Sequence, residues 1–464
     1  MSRDLEFDAE LLARYDVQGP RYTSYPTAPR FRSDFSVDQY REHASLGNED
    51  PNPRPLSLYL HIPFCSSPCF YCGCTRIITR DRAKAESYLA RLQREMALQA
   101  ELFDRDRRVH QLHLGGGTPN FLDLDQLESL VDTLRARFRF ADPGEREFGI
   151  EIDPRHANPE YMAGLARLGF DRVSFGVQDF NPEVQRAINR IQGVDETVAL
   201  IDSARASGFR SVNLDLIYGL PKQTLDGFAD TLETVAGARP ERIALYSYAH
   251  LPELFKAQRQ IHAEDMPSPA LKLALLGTAI ERLGAAGYRY IGMDHFALPD
   301  DELVRAQDAG TLQRNFQGYS THGDCDLIGL GMTAIGSVGH CYVQNARELV
   351  GYYAMLDNGR LPLAKGVALN RDDLIRRELI QSIMCFGRIR YAEVERRHQL
   401  RFGEYFAPEL GRLAELARDG LIVLDASGFE VTPRGRLLLR IVAMAFDAYL
   451  ARPAEQAPRY SRVI

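Results

Sequence analysis

LSLYLHIPFCSSPCFYCGC, Leu56 to Cys74, decides both the fold and the chemistry of this chain. Its first half is an apolar, strand-like run. Its second half carries four of the seven cysteines in ten residues, Cys65, Cys69, Cys72 and Cys74, spaced C-x3-C-x2-C-x-C. Thiols this close in sequence are not bystanders of a core; a strand that delivers them at its C-terminal end begins a site.

The pattern repeats downstream. From about Leu56 to Ala297, short apolar runs alternate with longer segments of helical period, the signature of βα units and a parallel sheet. The predicted strands are LSLYLHIP, VHQLHLGGG, EFGIEID, RVSFGVQ, SVNLDLIYG, RIALYSYA and YRYIGMDHFA. Helical patterns such as LDQLESLVDTLRARF separate them, and Gly closes several. Six or seven such units predict an α/β fold built on a barrel or part of one. Polar groups gather at the strand ends: the cysteines, then GGGTP, Glu151 with Asp153, Gln178 with Asp179, and Asp215. In a parallel barrel these ends converge on one mouth.

At 464 residues the chain is too long for one ordinary core. Residues 1–55, with VQGPRYTSYPTAPRFR, read as an extended arm that could fold over the mouth. Residues 56–365 read as the barrel, completed or covered by the Gly-rich NFQGYSTHGDCDLIGLGMTAIGSVG. Residues 366–464 read as a mainly helical, winged-helix-like unit with a hairpin at Ala426-Ser427-Gly428. Composition is globular, with 45% hydrophobic and 26% charged residues. No apolar run approaches the length of a membrane helix and the N-terminus is polar, so a cytoplasmic site and no membrane partner are expected. A net charge of -7 argues against a nucleic-acid surface. The tail is only locally basic, at Arg434, Arg436 and Arg440, which favours packing on the barrel over DNA binding. Cys325, Cys341 and Cys385 read as small buried hydrophobes.

The clustered cysteines admit three readings: structural zinc, a four-Cys cluster, or a three-Cys cluster with one iron left open. Zinc normally takes a second ligand pair, and none follows. Ferredoxin runs have a different spacing. The C-x3-C-x2-C spacing resembles the radical S-adenosylmethionine (SAM) superfamily. GPRYTSYPTA, YLHIPFC with CFYCGC, GGGTP, EIDPR, GVQDFNPEVQRAINR, NLDLIYGLPKQT, YAHLP, IGMDHFA, RNFQGYSTHGD and the closing SRVI together resemble the oxygen-independent coproporphyrinogen III oxidase family, from about residue 15 onward.

That resemblance implies a partial (β/α)6-type radical SAM barrel and oxidative decarboxylation of two propionates of coproporphyrinogen III to vinyl groups, giving protoporphyrinogen IX in haem biosynthesis. It implies one [4Fe-4S] cluster on Cys65, Cys69 and Cys72, and two SAM molecules, one of which yields a 5'-deoxyadenosyl radical. Cys74 matches an extra cysteine tied to activity; His61 and Tyr59 join it as catalytic candidates. Tyr59, Gly116, Glu151 and Ile335 match contacts to the SAM on the cluster. Tyr71, Gly117, Thr118, Gln178, Arg190, Asp215 and Ala249 match contacts to the second. Arg21, Arg30 and Arg32, interleaved with Tyr22, Tyr25 and Phe31, are candidates for meeting the four substrate carboxylates. A reducing electron donor and an unidentified electron acceptor are implied partners, and a monomer is the default. Against this stand a haem-transfer chaperone, a methyl transferase on the same core, and a tail that binds DNA. Cys74 and the GPRYTSYPT arm favour the oxidase over the chaperone.

Overall fold

Alternation writes the barrel. In β1 (Leu56–Ile62), Leu56, Leu58, Leu60 and Ile62 are essentially fully buried, while Ser57, Tyr59 and His61 form the opposite face. The same division runs through β2 (Val109–Gly116), β3 (Glu147–Ile152), β4 (Arg172–Gln178), β5 (Ser211–Tyr218) and β6 (Arg242–Ser247). One face of each strand packs apolar side chains under helices α1 (Ala83–Ala100), α2 (Leu124–Arg137), α3 (Pro159–Leu168), α4 (Val194–Ala206) and α5 (Leu225–Ala238). The other face turns Gln111, His113, Glu147, Glu151, Arg172, Asn213, Asp215 and Arg242 into the interior. Barrels normally fill this space with aliphatic layers; a polar interior is a site.

The computed structural model describes residues 5–450 and 460–463, so residues 1–4 and Ile464 of the closing SRVI lie outside the described residues. With β7 (Arg289–Gly292), β8 (His295–Ala297), β9 (Asp326–Leu330), β10 (Ile335–Val338), β11 (Cys341–Asn345) and β12 (Leu363–Ala368), the strands form one sheet. Its order is β12-β11-β10-β9-β1-β2-β3-β4-β5-β6-β8-β7. The seven strands from β9 to β6 are parallel, and antiparallel strands extend both ends without closing the ring. The fold is therefore the expected partial barrel.

Three features depart from the sequence reading. YRYIGMDHFA is an antiparallel hairpin, not one strand, because the chain reverses at Met293 and Asp294, Met293 having φ 51°. The Gly-rich stretch contributes β9, which pairs parallel to β1 from Leu56↔Asp326 onward. Within the arm, Val37–Glu49 is a helix, started by a capping box in which Ser36 Oγ accepts from Gln39 N and Gln39 Oε1 accepts from Ser36 N. The S-x-x-Q signal was in the sequence.

The C-terminal unit joins helix Arg371–Phe386 to a three-stranded antiparallel sheet (Arg388–Arg390, Ile422–Asp425, Gly428–Val431) and further helices. The three basic residues singled out in its sequence make contacts within the molecule: Arg434 pairs with Asp8, Arg436 donates to Ile291 O, and Arg440 donates to Gly19 O and Pro20 O. The arm is pinned against this unit. Tyr22 and Tyr25 are 2% and 1% exposed, and Tyr22 Oη donates to Asp447. These rings and Arg30, which donates to Tyr449 O, are committed to packing rather than to a flat ligand. Arg32 pairs with Asp34, and Arg21 reaches inward to Asp294. Cys341 and Cys385 are buried as expected, and all seven cysteines are free. Among the described residues no helix is long and apolar enough to cross a membrane.

Candidate active site

The cysteine loop leaves β1 and is closed at its neck: Ile77 N donates to Pro63 O (2.6 Å) and Thr79 N to Cys65 O (2.9 Å). Between these ends Arg76 holds the loop from within. Its guanidinium donates to the carbonyls of Cys69 (3.2 Å), Cys72 (3.0 Å) and Cys74 (3.3 Å). Asn189 donates to Pro68 O and Phe70 N to Ile188 O, which fastens the loop to the segment after β4.

Cys65, Cys69, Cys72 and Cys74 open on a cavity of about 230 Å³ at the C-terminal ends of β1 to β5. Tyr71, Gly116, Gly117, Thr118, Glu151, Gln178, Arg190 and Asp215 share its wall. An adjoining cavity of about 480 Å³ is lined by Tyr59, His61, Cys74, Gly116, Glu151 and Ile335. The four residues expected around one SAM thus meet in the larger cavity, and six of the seven expected around the other meet in the smaller. Ala249 lines neither; its carbonyl accepts from Gln258, which also donates to Tyr71 O. Asp179 leaves the mouth altogether: fully buried, it takes bonds from Gln223, Thr231 and Asn181 N.

Charge around the cysteines is arranged in one network. Arg190 Nη1 and Arg155 Nη2 lie 3.4 and 3.5 Å from Cys69 Sγ, and both guanidiniums bind Asp153. Burial pushes the Asp153 carboxyl up, but Arg190 and Arg155 outweigh it and hold the group at about 2. A hydrogen bond from the Cys74 thiol, with Arg76 close by, lowers the Cys72 thiol below its ordinary value against its burial. Burial, with Cys72 alongside, drives Cys65 the other way, to about 12. Arg76, Arg155 and Asp153 join this network, and the sequence carried no spacing signal for them beyond Asp153 at a strand end.

The glycine run has a reason other than ligand approach. A Cβ on Gly115 would meet the Glu151 carboxylate at 2.8 Å, one on Gly116 the His61 ring at 2.7 Å, and one on Gly117 the Pro63–Phe64 backbone at 2.7 Å. Gly116 also has φ 119°, a left-handed conformation that disfavours any side chain. Glu151, so admitted, accepts from Gly116 N (3.2 Å) and His113 Nε2 (3.4 Å). Burial alone would raise its pKa; these donors and His61 pull it below the ordinary value. His61 Nε2 donates to Thr75 O (3.0 Å), leaving Nδ1 to accept from Tyr59 Oη (3.3 Å). Burial lowers its pKa, so the imidazole is neutral and fixed in one tautomer. Asp215 takes bonds from Ser174 and Asn213, yet burial and the Glu151 charge push it up to about 7.

This donor set fits an iron-sulfur cluster: three thiols on one braced loop, guanidiniums to offset thiolate charge, and Cys74 N donating to Cys72 Sγ (3.5 Å). Among the described residues no three side chains already stand as a closed metal cage; Cys69 is turned to its two arginines.

Residues 59–235 match the radical SAM superfamily model and residues 369–438 the HemN C-terminal domain model. The oxygen-independent coproporphyrinogen III oxidase of Pseudomonas aeruginosa is 49% identical over 99% of both chains, and that of Escherichia coli 48% identical over 100% of this chain and 99% of its own. The structure of Escherichia coli HemN, described as a radical SAM coproporphyrinogen III oxidase, superimposes with a TM-score of 0.91 at 47% identity, covering 96% of this chain and all of that one. With its thiol loop, glycine turn and C-terminal unit matched at this identity over nearly its whole length, the chain belongs to the oxygen-independent coproporphyrinogen III oxidase family of radical SAM enzymes.

Proposed function

We propose that this chain carries out the reaction for which its relatives are named, the oxygen-independent oxidative decarboxylation of two coproporphyrinogen III propionates to vinyl groups, giving protoporphyrinogen IX. The observation that carries the reading is the meeting of the cysteine loop, the glycine turn and Glu151 around two adjoining cavities. A [4Fe-4S] cluster with SAM supplies the one-electron chemistry that takes hydrogen from an unactivated C–H bond, which no side chain does at neutral pH.

The protein's own part is positional. Cys65, Cys69 and Cys72 would hold the cluster, with Arg76 fixing the loop and Arg155 and Arg190 offsetting thiolate charge. Ionised Glu151 suits a cationic amino group of SAM in the larger cavity, where Tyr59 and Ile335 supply apolar wall. Tyr71, Gln178, Arg190 and Asp215 suit a second SAM in the smaller one; Tyr59 and Ile335 line only the larger cavity and these four only the smaller of the two, with Gly116 and Glu151 at their shared wall, which supports two molecules. Cys74, which lines both cavities, and neutral His61, in the larger one, are candidates for proton handling. Residues 56–365 carry the chemistry in this reading, 366–464 brace it, and 1–55 close over it. Seven free thiols accord with a reducing cytoplasm.

Iron and SAM counts test the site. Cys65→Ala, Cys69→Ala and Cys72→Ala should each lose most bound iron after reconstitution, whereas Cys74→Ala keeps iron and loses turnover. Equilibrium dialysis should count two SAM per chain. Full iron in all three ligand variants would dismiss the assignment, and full turnover after deletion of residues 1–30 would dismiss the closing role of the arm.

A further inference from the structure

Two motifs, IGMDHFA and RNFQGYSTHGD, have been given no role so far, although Phe316 and Gln317 of the second line the larger cavity. The fold brings them together. The hairpin Gln313–Asn315/Gly318–Ser320 lies against the β7–β8 hairpin, where Tyr319 packs edge-on to His295 at 5.3 Å. Gly318, at φ 115°, lets this turn approach the His295 ring: a Cβ there would stand 3.3 Å from Nε2. Between these hairpins and the barrel wall is an inner cavity of about 140 Å³, deeper along the strands than the cysteine loop. It shares Glu151 with both outer cavities and Gln317 with the larger one, so the three are contiguous.

The inner cavity is short of acceptors. Arg242 Nη2, His295 Nδ1 and Gln317 Nε2 line it, each buried with no hydrogen-bond partner. Behind them Arg314 is 3% exposed, Nη1 has no partner, and no carboxylate pairs with it among the described residues. The neighbouring acids are already committed. Glu147 is held by Arg172 (2.6 Å) and Gln111 (2.7 Å), Asp215 by Ser174 (3.1 Å) and Asn213 (2.8 Å), Asp301 by Arg242 Nε (2.9 Å), Asp294 by Arg21, and Glu151 by His113. Unpaired buried donors and an uncompensated guanidinium are costly unless an anion joins them. Burial, with the surrounding arginines, also depresses His295 to about 3, so the ring is a neutral imidazole whose unpartnered Nδ1 can carry the proton toward a ligand.

We propose that this inner cavity receives one carboxylate of the substrate, with Arg242, His295 and Gln317 donating hydrogen bonds and Arg314 supplying the compensating charge. The proposal rests on the tetrapyrrole reading above and deepens it. The larger cavity is assigned above to SAM, so the macrocycle would lie against that SAM at the cavity's open side, and Gln317, common to both walls, marks where a propionate passes inward. Anchoring one propionate sets which other lies beside the cysteine loop, making these residues specificity determinants.

The test is a fluorescence titration of the reconstituted protein with coproporphyrin III, the air-stable aromatic form of the substrate, and with its tetramethyl ester. Wild type should prefer the acid. Gln317 also borders the larger cavity, so Gln317→Leu should weaken acid binding about tenfold more than ester binding. His295→Phe should weaken acid binding about tenfold, the worth of a charge-assisted hydrogen bond, and leave ester binding unchanged. Arg314→Leu should do the same, with Arg314→Lys restoring part of the loss. Equal losses for acid and ester, or none, would overturn the inference while leaving the substrate reading intact. A loss of SAM affinity without loss of acid affinity would assign the carboxylate to SAM and overturn it too. Wild type that fails to prefer the acid would sink both readings.

Discussion

Replacing Gly117 with alanine tests how the thiol loop is positioned. Gly117 N donates to Ile62 O (2.8 Å) and Thr118 N to Phe64 O (2.8 Å), so the end of β2 grips the chain as it enters the cysteine loop. An alanine Cβ would sit 2.7 Å from Phe64 O and from the Pro63 carbonyl carbon. Both are backbone, and no side chain can swing aside. The overlap is relieved only by pushing Pro63–Phe64 outward, at about 1–3 kcal/mol for overpacking and about 1 kcal/mol for each strained hydrogen bond. Gly117→Ala should therefore lower stability by roughly 3–5 kcal/mol on these scales and reduce iron retained after reconstitution. Gly144, with nothing within 4 Å of its notional Cβ, is the control and should tolerate alanine. Denaturant unfolding of the apo chain and iron analysis decide the matter. Wild-type stability and full iron in Gly117→Ala would show that this contact does not set the loop.

Other consequences concern charge. Glu95 is fully buried on α1 and accepts from Tyr352 Oη (2.6 Å), Asn345 Nδ2 (2.6 Å) and Gly331 N (2.8 Å), tying that helix to β9 and β11. Burial nevertheless pushes it up to about 7 from an unfolded value of 4.5. A carboxyl with a raised folded pKa favours the native state fully below 4.5 and loses that contribution as pH rises through 7, so wild type should lose stability relative to Glu95→Gln across that window, by roughly 3 kcal/mol at most; parallel curves in urea would refute this. Asp215, titrating near 7, should give SAM affinity that rises between pH 6 and 8 as the carboxylate forms, and Asp215→Asn should abolish the slope in equilibrium dialysis. Arg76→Met removes the donor to three loop carbonyls and should speed loss of iron to a chelator several-fold without altering the fold by circular dichroism.

Much of this was legible in the sequence, for identifiable reasons. The parallel strands announce themselves because every second residue must be apolar to pack under a helix, and six of the seven predicted runs form parallel strands of the barrel. The exception, YRYIGMDHFA, has the composition of one strand; its reversal at Met293 lacks a Gly-Asn or Gly-Pro signal. β9 was hidden because Asp326–Leu330 lies among glycines, and its place beside β1 depends on a pairing some 270 residues apart. The thiols, Glu151 and Asp215 were readable as strand-end polar groups. Asp179 looked identical in sequence, yet Gln178, at φ 69°, sets the chain so that Asp179 turns into the core. His113 went unread because its partner Glu151 stands on another strand, and Arg76 and Arg155, although their partners are near in sequence, went unread because a loop's carbonyls and an i−2 carboxylate leave no residue pattern that marks them.

The central claim is that the thiol loop and its cavities perform radical decarboxylation of a tetrapyrrole. Anaerobic turnover of the reconstituted protein with SAM, a strong reductant, coproporphyrinogen III and an electron-accepting extract measures it most directly, with tetrapyrrole product and 5'-deoxyadenosine counted together. The account predicts divinyl product accompanied by matching deoxyadenosine, both lost in Cys69→Ala. Stable haem binding with neither product would contradict it.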